Sequence, residues 1–315
     1  MNLPRRPRRR HLLATLLALS LLAVAAVWTN ALGVGDRYDS LGVGDKVQSL
    51  ARKIELLVDP PPDREVPVAV RMTPEPIETE TPSPLSTPAQ SVAPGDPTPA
   101  PPPTPTPRPE RVKVDVNLLI DPRKHFITEI DKDLCAVSGT QMVLAMHGKA
   151  ELTAAFQREL SGRIGEWESR RDSLNGGWGP AAMVEALNAY GVPGYEIRAY
   201  DTRSDALRDA ARSISKYHAP VILLAWRGAH TWIMTGYRAD ADPMVFRDAK
   251  VSGAYILDPW FPRNSSIWGQ SDSPGTFQDS AEMRRNYLAW KRPEGNYPDR
   301  DGLFISIVPT VTLNR

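Results

Sequence analysis

From residue 219 onwards the hydrophobic positions stop recurring at helical spacing and fall into short blocks: "APVILLAW" (219–226), "HTWIMTGY" (230–237), "GAYILDPW" (253–260) and "GLFISIVP" (302–309). Blocks of this length, rich in β-branched and aromatic residues and punctuated by Gly, Asp and Pro, predict strands. Upstream the period is helical. One helix is predicted from about Asp133 to Met146, with Val137, Leu144 and Ala145 along one side and Gly148 as its stop. A second lies within "GPAAMVEALNAYG" (179–191), with Pro180 in its first turn and Gly191 past its end, and a third starts near Ser204 in "SDALRDAARSISKY". A short apolar stretch, "VKVDVNLLI" (112–120), precedes the first helix, and the polar run "GRIGEWESRRDSLNGGWG" (162–179) leads into the second. Helices first and strands afterwards predict one α+β domain over residues 111–315, a helical part packed on an antiparallel sheet.

The first 110 residues carry three other patterns. Residues 1–35 join a basic stub, Arg5, Arg6, Arg8, Arg9 and Arg10, to a run from Leu12 to Gly35 without a charged side chain. Roughly 20 apolar residues span a bilayer as a helix, and the arginines orient the span with the remainder of the chain outside the cytoplasm. The apolar run continues beyond Ala23-Val24-Ala25, which favours an uncleaved transmembrane anchor over a signal peptide with Leu12–Leu22 as its core. Either alternative exports the rest. In residues 36–58, Val43, Val47, Leu50, Ile54 and Leu57 alternate spacings of four and three. Two heptads are too few for a firm coiled coil, so this segment is expected to be a short amphipathic juxtamembrane helix with at most weak self-association through 43–57. Residues 59–110 hold eighteen of the 31 prolines. That composition predicts a disordered, extended stalk.

Charge narrows the possible partners. With 38 basic and 37 acidic side chains the net charge is +1, and nothing points to nucleic acid. The chain contains a single cysteine, Cys135, which excludes an internal disulfide framework and a multi-cysteine zinc site. An exported unpaired thiol is either a reactive group or a small buried hydrophobe.

Its position favours reactivity. With Asp133 as N-cap, Cys135 falls in the first turn of its helix, where free N–H groups and the positive end of the dipole favour a thiolate. A thiolate catalyst needs a base. Five histidines are available. His11 lies beside the anchor, and His125 and His218 are in connecting segments. His147 is at the far end of the same helix, roughly 18 Å away. His230 opens a strand directly after "RGA", with Trp232 and Met234 on its face. Asp258 ends the next strand in "ILDP", and antiparallel pairing brings such a carboxylate beside His230; an Asp-Pro turn is the ordinary alternative. The late aromatic residues Trp260, Phe261, Trp268, Tyr287 and Trp290 are expected to complete a core, with a cleft wall as the alternative. No metal-ligand spacing of the HExxH kind occurs, and no cofactor is expected.

Together "CAVSGTQMVLAMHG" (135–148), "HTWIMTGY" and "ILDP", with "GWGPAAMVEALNAYG" and "APVILLA" between them, resemble the C39-like branch of the papain-like cysteine peptidases over about residues 120–310. The resemblance implies a papain-like fold, with Cys135 as nucleophile, His230 as general base and then acid, and Asp258 as the orienting carboxylate. It also implies a peptide or protein substrate cleaved by acyl transfer through a thioester. Two positions depart from the pattern. Ala136-Val137 replace Gly-Pro after the nucleophile, and Glu129 stands where the family has a glutamine donating to the oxyanion. An ionised Glu129 cannot donate a hydrogen bond, whereas a protonated one can. The same residues therefore allow a catalytically weak or inactive papain-like domain that binds a peptide or cell-wall ligand. The order Cys, His, Asp also occurs in transglutaminase-like acyl transferases, although here the gaps are long, 95 and 28 residues.

Overall fold

The computed structural model of the chain describes residues 60–73, 109–173, 177–291 and 296–312. The anchor candidate at 12–35 and the heptad segment at 43–57 lie outside them. Among the described residues no helix is long and apolar enough to cross a membrane.

In chain order the elements are β1 (Val70–Arg71), β2 (Val114–Asn117), α1 (Cys135–Met146), α2 (Ala154–Gly162), α3 (Pro180–Ala189), β3 (Tyr195–Tyr200), α4 (Arg203–Tyr217), β4 (Val221–Ala225), β5 (His230–Ala239), β6 (Val251–Leu257), β7 (Asn264–Ser265), β8 (Gly269–Gln270), β9 (Thr276–Asp279), α5 (Ser280–Asn286) and β10 (Phe304–Pro309). Strands β7 and β8 make a separate two-stranded ribbon. The main sheet has the order β1-β3-β10-β4-β5-β6-β9. β5 is its spine: β6 pairs along one edge, while β4 and then β2 share the other. Every pairing is antiparallel except β1 with β3.

The two faces of the sheet are buried separately. Ile222 and Leu224 of β4, Ile233 of β5 and Ile305 and Ile307 of β10 enter one core with α1 and α3. Their alternating neighbours Val221, Leu223, Trp232, Met234 and Val308 enter a second core with Ala206, Ala210 and Ile214 of α4. β4 is thus buried on both faces, which explains its unbroken apolar sequence. The α+β expectation takes the form of helices on both sides of a mostly antiparallel sheet, rather than one helical part packed on one face. Helix α4 accounts for the difference: its apolar side chains recur at 206–207, 210–211 and 214, one stripe that covers the second face.

Residues read as stalk also supply structure. Val70 and Arg71 pair parallel with Arg198 and Ala199, and the Ala69 N–H donates to Asp299 at 3.1 Å. The folded sequence therefore starts before residue 111. Described residues 60–65 and 168–173 belong to a small unit of their own, in which Arg170 and Arg171 each bond Asp63 at 2.5 Å and Ser169 donates to the Arg64 carbonyl at 2.8 Å.

Candidate active site

Helix α1 begins at Cys135 itself. Leu134, not Asp133, occupies the capping position, without a side-chain cap. The first helical bond runs from the Ser138 N–H to the Leu134 carbonyl, while the Leu134 N–H closes a turn onto Asp131. That turn uses up the residues an Asp133 cap would have needed. Cys135 stays in the first turn, where main-chain N–H groups lack helical acceptors. It is an unpaired, half-buried thiol at the foot of a helix whose residues 136–144 are all buried.

His230 begins β5, opposite Ala225 of β4, and is 3% exposed. Its Nε2 lies 2.6 Å from Asp258 Oδ1, the carboxylate just past the end of β6. The other oxygen-bonded partner of that carboxylate is the Trp260 N–H, which donates to the same Oδ1 at 2.9 Å. Antiparallel pairing of Ile233 with Leu257 sets the register that brings the two side chains together. Burial opposes the charged imidazolium, but the Asp258 carboxylate, with a smaller contribution from a hydrogen bond to Cys135, outweighs it and raises the His230 pKa to about 10. With Nε2 committed to Asp258, Nδ1 is the nitrogen left for the sulfur. Cys135 and His230 both line a cleft of about 200 Å³ walled by Trp178, Trp226, Trp260 and Trp290. A larger cavity, about 390 Å³, shares Trp290 but holds none of the four candidate residues.

Glu129 is fully buried. Its Oε1 accepts from Arg263 Nη1 at 2.9 Å, Arg263 Nη2 donates to the Glu129 carbonyl at 3.0 Å, and Oε2 is buried without a hydrogen-bond partner. Desolvation dominates over the lowering influence of His230 and Arg263, and with repulsion from Asp258 and Asp133 it pushes the carboxyl up to about 8. In the neutral form the proton sits best on Oε2, because the Arg263 bond needs only an acceptor at Oε1 and survives in either state. The imidazole of His230 acts on this carboxyl electrostatically, although Glu129 is not among the residues lining the cleft.

Three residues escaped the sequence reading. Gln157, the buried polar residue of α2, accepts from the Ile130 N–H at 2.7 Å and donates to the Thr128 carbonyl at 3.3 Å, bracketing Glu129. On the opposite side, Thr128 Oγ1 donates to Phe261 at 2.6 Å and the Glu129 N–H donates to Pro259 at 3.0 Å. Arg263 is the second. The third is Trp226, whose indole stacks on the His230 ring at 3.9 Å and 18°. Trp226, Arg227 and Gly228 adopt φ of +50°, +63° and +86° in succession. A left-handed conformation costs a residue with a Cβ roughly 1–2 kcal/mol, so this β4–β5 connection is held in place by its surroundings. At Gly228 a Cβ would come within 2.4 Å of Trp290, so glycine is required there for space as well as for φ. The only available signal was "WRGAH" itself, a tight connection carrying a bulky aromatic residue next to a histidine.

The remaining candidates are placed elsewhere. His147 sits 3.3 Å from the Tyr195 hydroxyl, and His218 takes the left-handed position after α4. Of the late aromatics, Tyr287 is a core residue, Trp260 and Trp290 wall the cleft, and Trp268 stacks on Trp226 at 5.6 Å and 5°.

No family profile matches the chain, and no curated protein does. Among solved structures the chain is similar to a double glycine motif protease from an AMS/PCAT transporter in complex with the leader peptide, at 18% identity and a TM-score of 0.29, over 59% of this chain and 91% of that one.

Proposed function

We propose that the chain is a cysteine-dependent acyl-transfer hydrolase, a peptidase or amidase, held outside the cytoplasm by residues 12–35. The observation that carries this reading is the alignment, in one cleft, of a thiol in the first turn of α1 with a buried imidazole whose far nitrogen is fixed 2.6 Å from a carboxylate. In the proposed reaction Cys135 attacks the scissile carbonyl as a thiolate, its proton having passed to His230. Asp258 holds the ring in orientation and stabilises the imidazolium. The oxyanion is received by the Cys135 main-chain N–H and by Oε2–H of a neutral Glu129. His230 then protonates the departing amine, and with its proton gone it activates water to cleave the thioester, which regenerates the thiol.

The test uses the full chain. Hydrolysis of a mixed peptide library, and covalent labelling by a thiol-directed peptide amide, should both be lost in Cys135→Ala. A full chain that neither labels nor hydrolyses, and whose behaviour Cys135→Ala leaves unchanged, overturns the proposal. Incorporation of a primary amine in place of water would move the assignment to transglutaminase-like transfer.

A second reading, a binding domain with little or no turnover, draws on the Glu129–Arg263 contact. If the ion pair keeps Glu129 charged, the oxyanion meets a negative group instead of a donor. Peptide capture without cleavage would favour it.

A further inference from the structure

We propose that Trp226 is a positioning residue for His230: its indole fixes the plane of the imidazole and favours the imidazolium form through its π face. This rests on the reading of Cys135 and His230 as a reacting pair.

Four observations converge on Trp226. Its ring lies 3.9 Å from that of His230 and within 18° of parallel, a distance at which an aromatic face attracts a cation. Its Nε1–H donates to the buried Asn286 Oδ1 at 3.0 Å, which sets the rotation of the indole. Trp268 also packs parallel to the indole, with ring centroids 5.6 Å apart and an interplanar angle of 5°. The backbone beneath is in the left-handed region at Trp226 and Arg227, a conformation that persists in bulky residues only where the surroundings enforce it. A loop whose only task was to join β4 to β5 would relax with Asn or Gly at these positions.

The consequence is geometric and electrostatic together. The Asp258 bond fixes Nε2, but it leaves the tilt of the ring plane about that contact soft. A stacked indole fixes that tilt, so Nδ1 stays aimed at the sulfur. The titratable groups that face His230 are Asp258 after β6, Cys135 at the start of α1 and Glu129 before it, and substitutions at Trp226 leave all three in place.

The experiment follows the His230 ring by NMR through a pH titration of the full chain labelled at histidine Cε1, alongside the pH dependence of Cys135 alkylation by iodoacetamide. In Trp226→Leu the proton affinity of His230 should fall about three- to thirty-fold, the range expected for loss of a desolvated cation–π contact. Alkylation should slow at neutral pH, and kcat on any peptide cleaved should fall about ten-fold or more with KM little changed. Trp226→Phe, a weaker cation partner of similar shape, should show a two- to three-fold fall in proton affinity, and it decides the matter alone if the leucine variant does not fold. A His230 titration in either folded variant that superimposes on wild type overturns the proposal. Failure of the reactive-pair reading is a different result: Cys135 inert in wild type while the titration still responds to Trp226.

Discussion

Gly139 touches Thr231 more closely than any side chain would allow. A Cβ on Gly139 would lie 2.6 Å from Thr231 Cγ2 and 3.2 Å from Ile233 Cδ1. Gly139 is one turn after Cys135 and Thr231 is next to His230, so this approach of α1 to β5 sets the distance between thiol and imidazole. Gly139→Ala brings two opposing effects. Alanine is favoured inside a helix by about 1 kcal/mol, whereas overpacking a close contact costs typically 1–3 kcal/mol. Thr231 is buried and its β-branched side chain is stiff at χ1, so overpacking wins. Thermal unfolding should show a net loss of about 1 kcal/mol, and turnover should fall more than stability does, by roughly 10- to 100-fold, because the helix carries the sulfur away from the ring.

Glu129→Gln tests whether the buried carboxyl works as a neutral donor. Its pKa of about 8 lies above the ordinary 4.5. Stability contributed by the protonated form is therefore complete below pH 4.5 and lost as pH rises through about 8. Hydrolysis in wild type should decline through the same upper limit as Oε2 loses its proton. Glutamine donates at every pH, so the variant should match or exceed wild type at pH 7 and lack this decline. Glu129→Leu should cost on the order of 10²–10³ in kcat. A pH–rate profile identical in wild type and Glu129→Gln would remove Glu129 from the oxyanion site.

Much of this was legible in the chain because its signals are local. Helix α3 lies between Pro180 and Gly191, the latter at φ +78°, and β4, β5, β6 and β10 fall on the four apolar blocks. Cys135, His230 and Asp258 stood out as candidates for the same reason, each sitting where an element begins or just after one ends. The misses are elements whose pattern is diluted. In β3, Tyr195, Ile197 and Ala199 are buried while Glu196 and Arg198 pair with each other at 2.7 Å, an alternation masked by its charges. Helix α2 buries only Gln157 and Leu160, too few to reveal a stripe. β1 is two residues in a proline-rich stretch and gains meaning only from pairing with β3. Arg263 and Glu129 are 134 residues apart, and no spacing rule anticipates their contact.

Gln157→Leu removes the support of Glu129 without touching the cleft. The Ile130 N–H and the Gln141 side-chain oxygen each lose the partner that Gln157 supplies, at 2.7 and 3.1 Å. Buried groups left unsatisfied cost about 1–3 kcal/mol each, and leucine matches the volume of glutamine. The urea midpoint should therefore drop by the equivalent of about 2 kcal/mol or more. If Gln157 also positions Glu129, kcat should fall and the upper limit of the pH profile should shift, whereas a purely structural role would lower the midpoint alone.

Asp258→Asn separates orientation from charge. His230 is now held protonated to about pH 10 against burial, chiefly by the Asp258 carboxylate. Its contribution to stability is accordingly complete below its ordinary 6.5 and is lost as pH rises from there towards 10. Asparagine keeps a hydrogen-bonding oxygen opposite Nε2 but removes the charge. Burial then prevails over the remaining hydrogen bond to Cys135, and the His230 titration should move down sharply. Denaturation by urea should lose its alkaline decline between pH 6.5 and 10, apart from the portion below 8 due to Glu129, which the double variant with Glu129→Gln removes. Turnover should drop by roughly 10²–10⁴, the range set by loss of an orienting carboxylate. A variant that keeps both the wild-type pH–stability curve and wild-type turnover would mean that the 2.6 Å contact neither charges nor orients the ring.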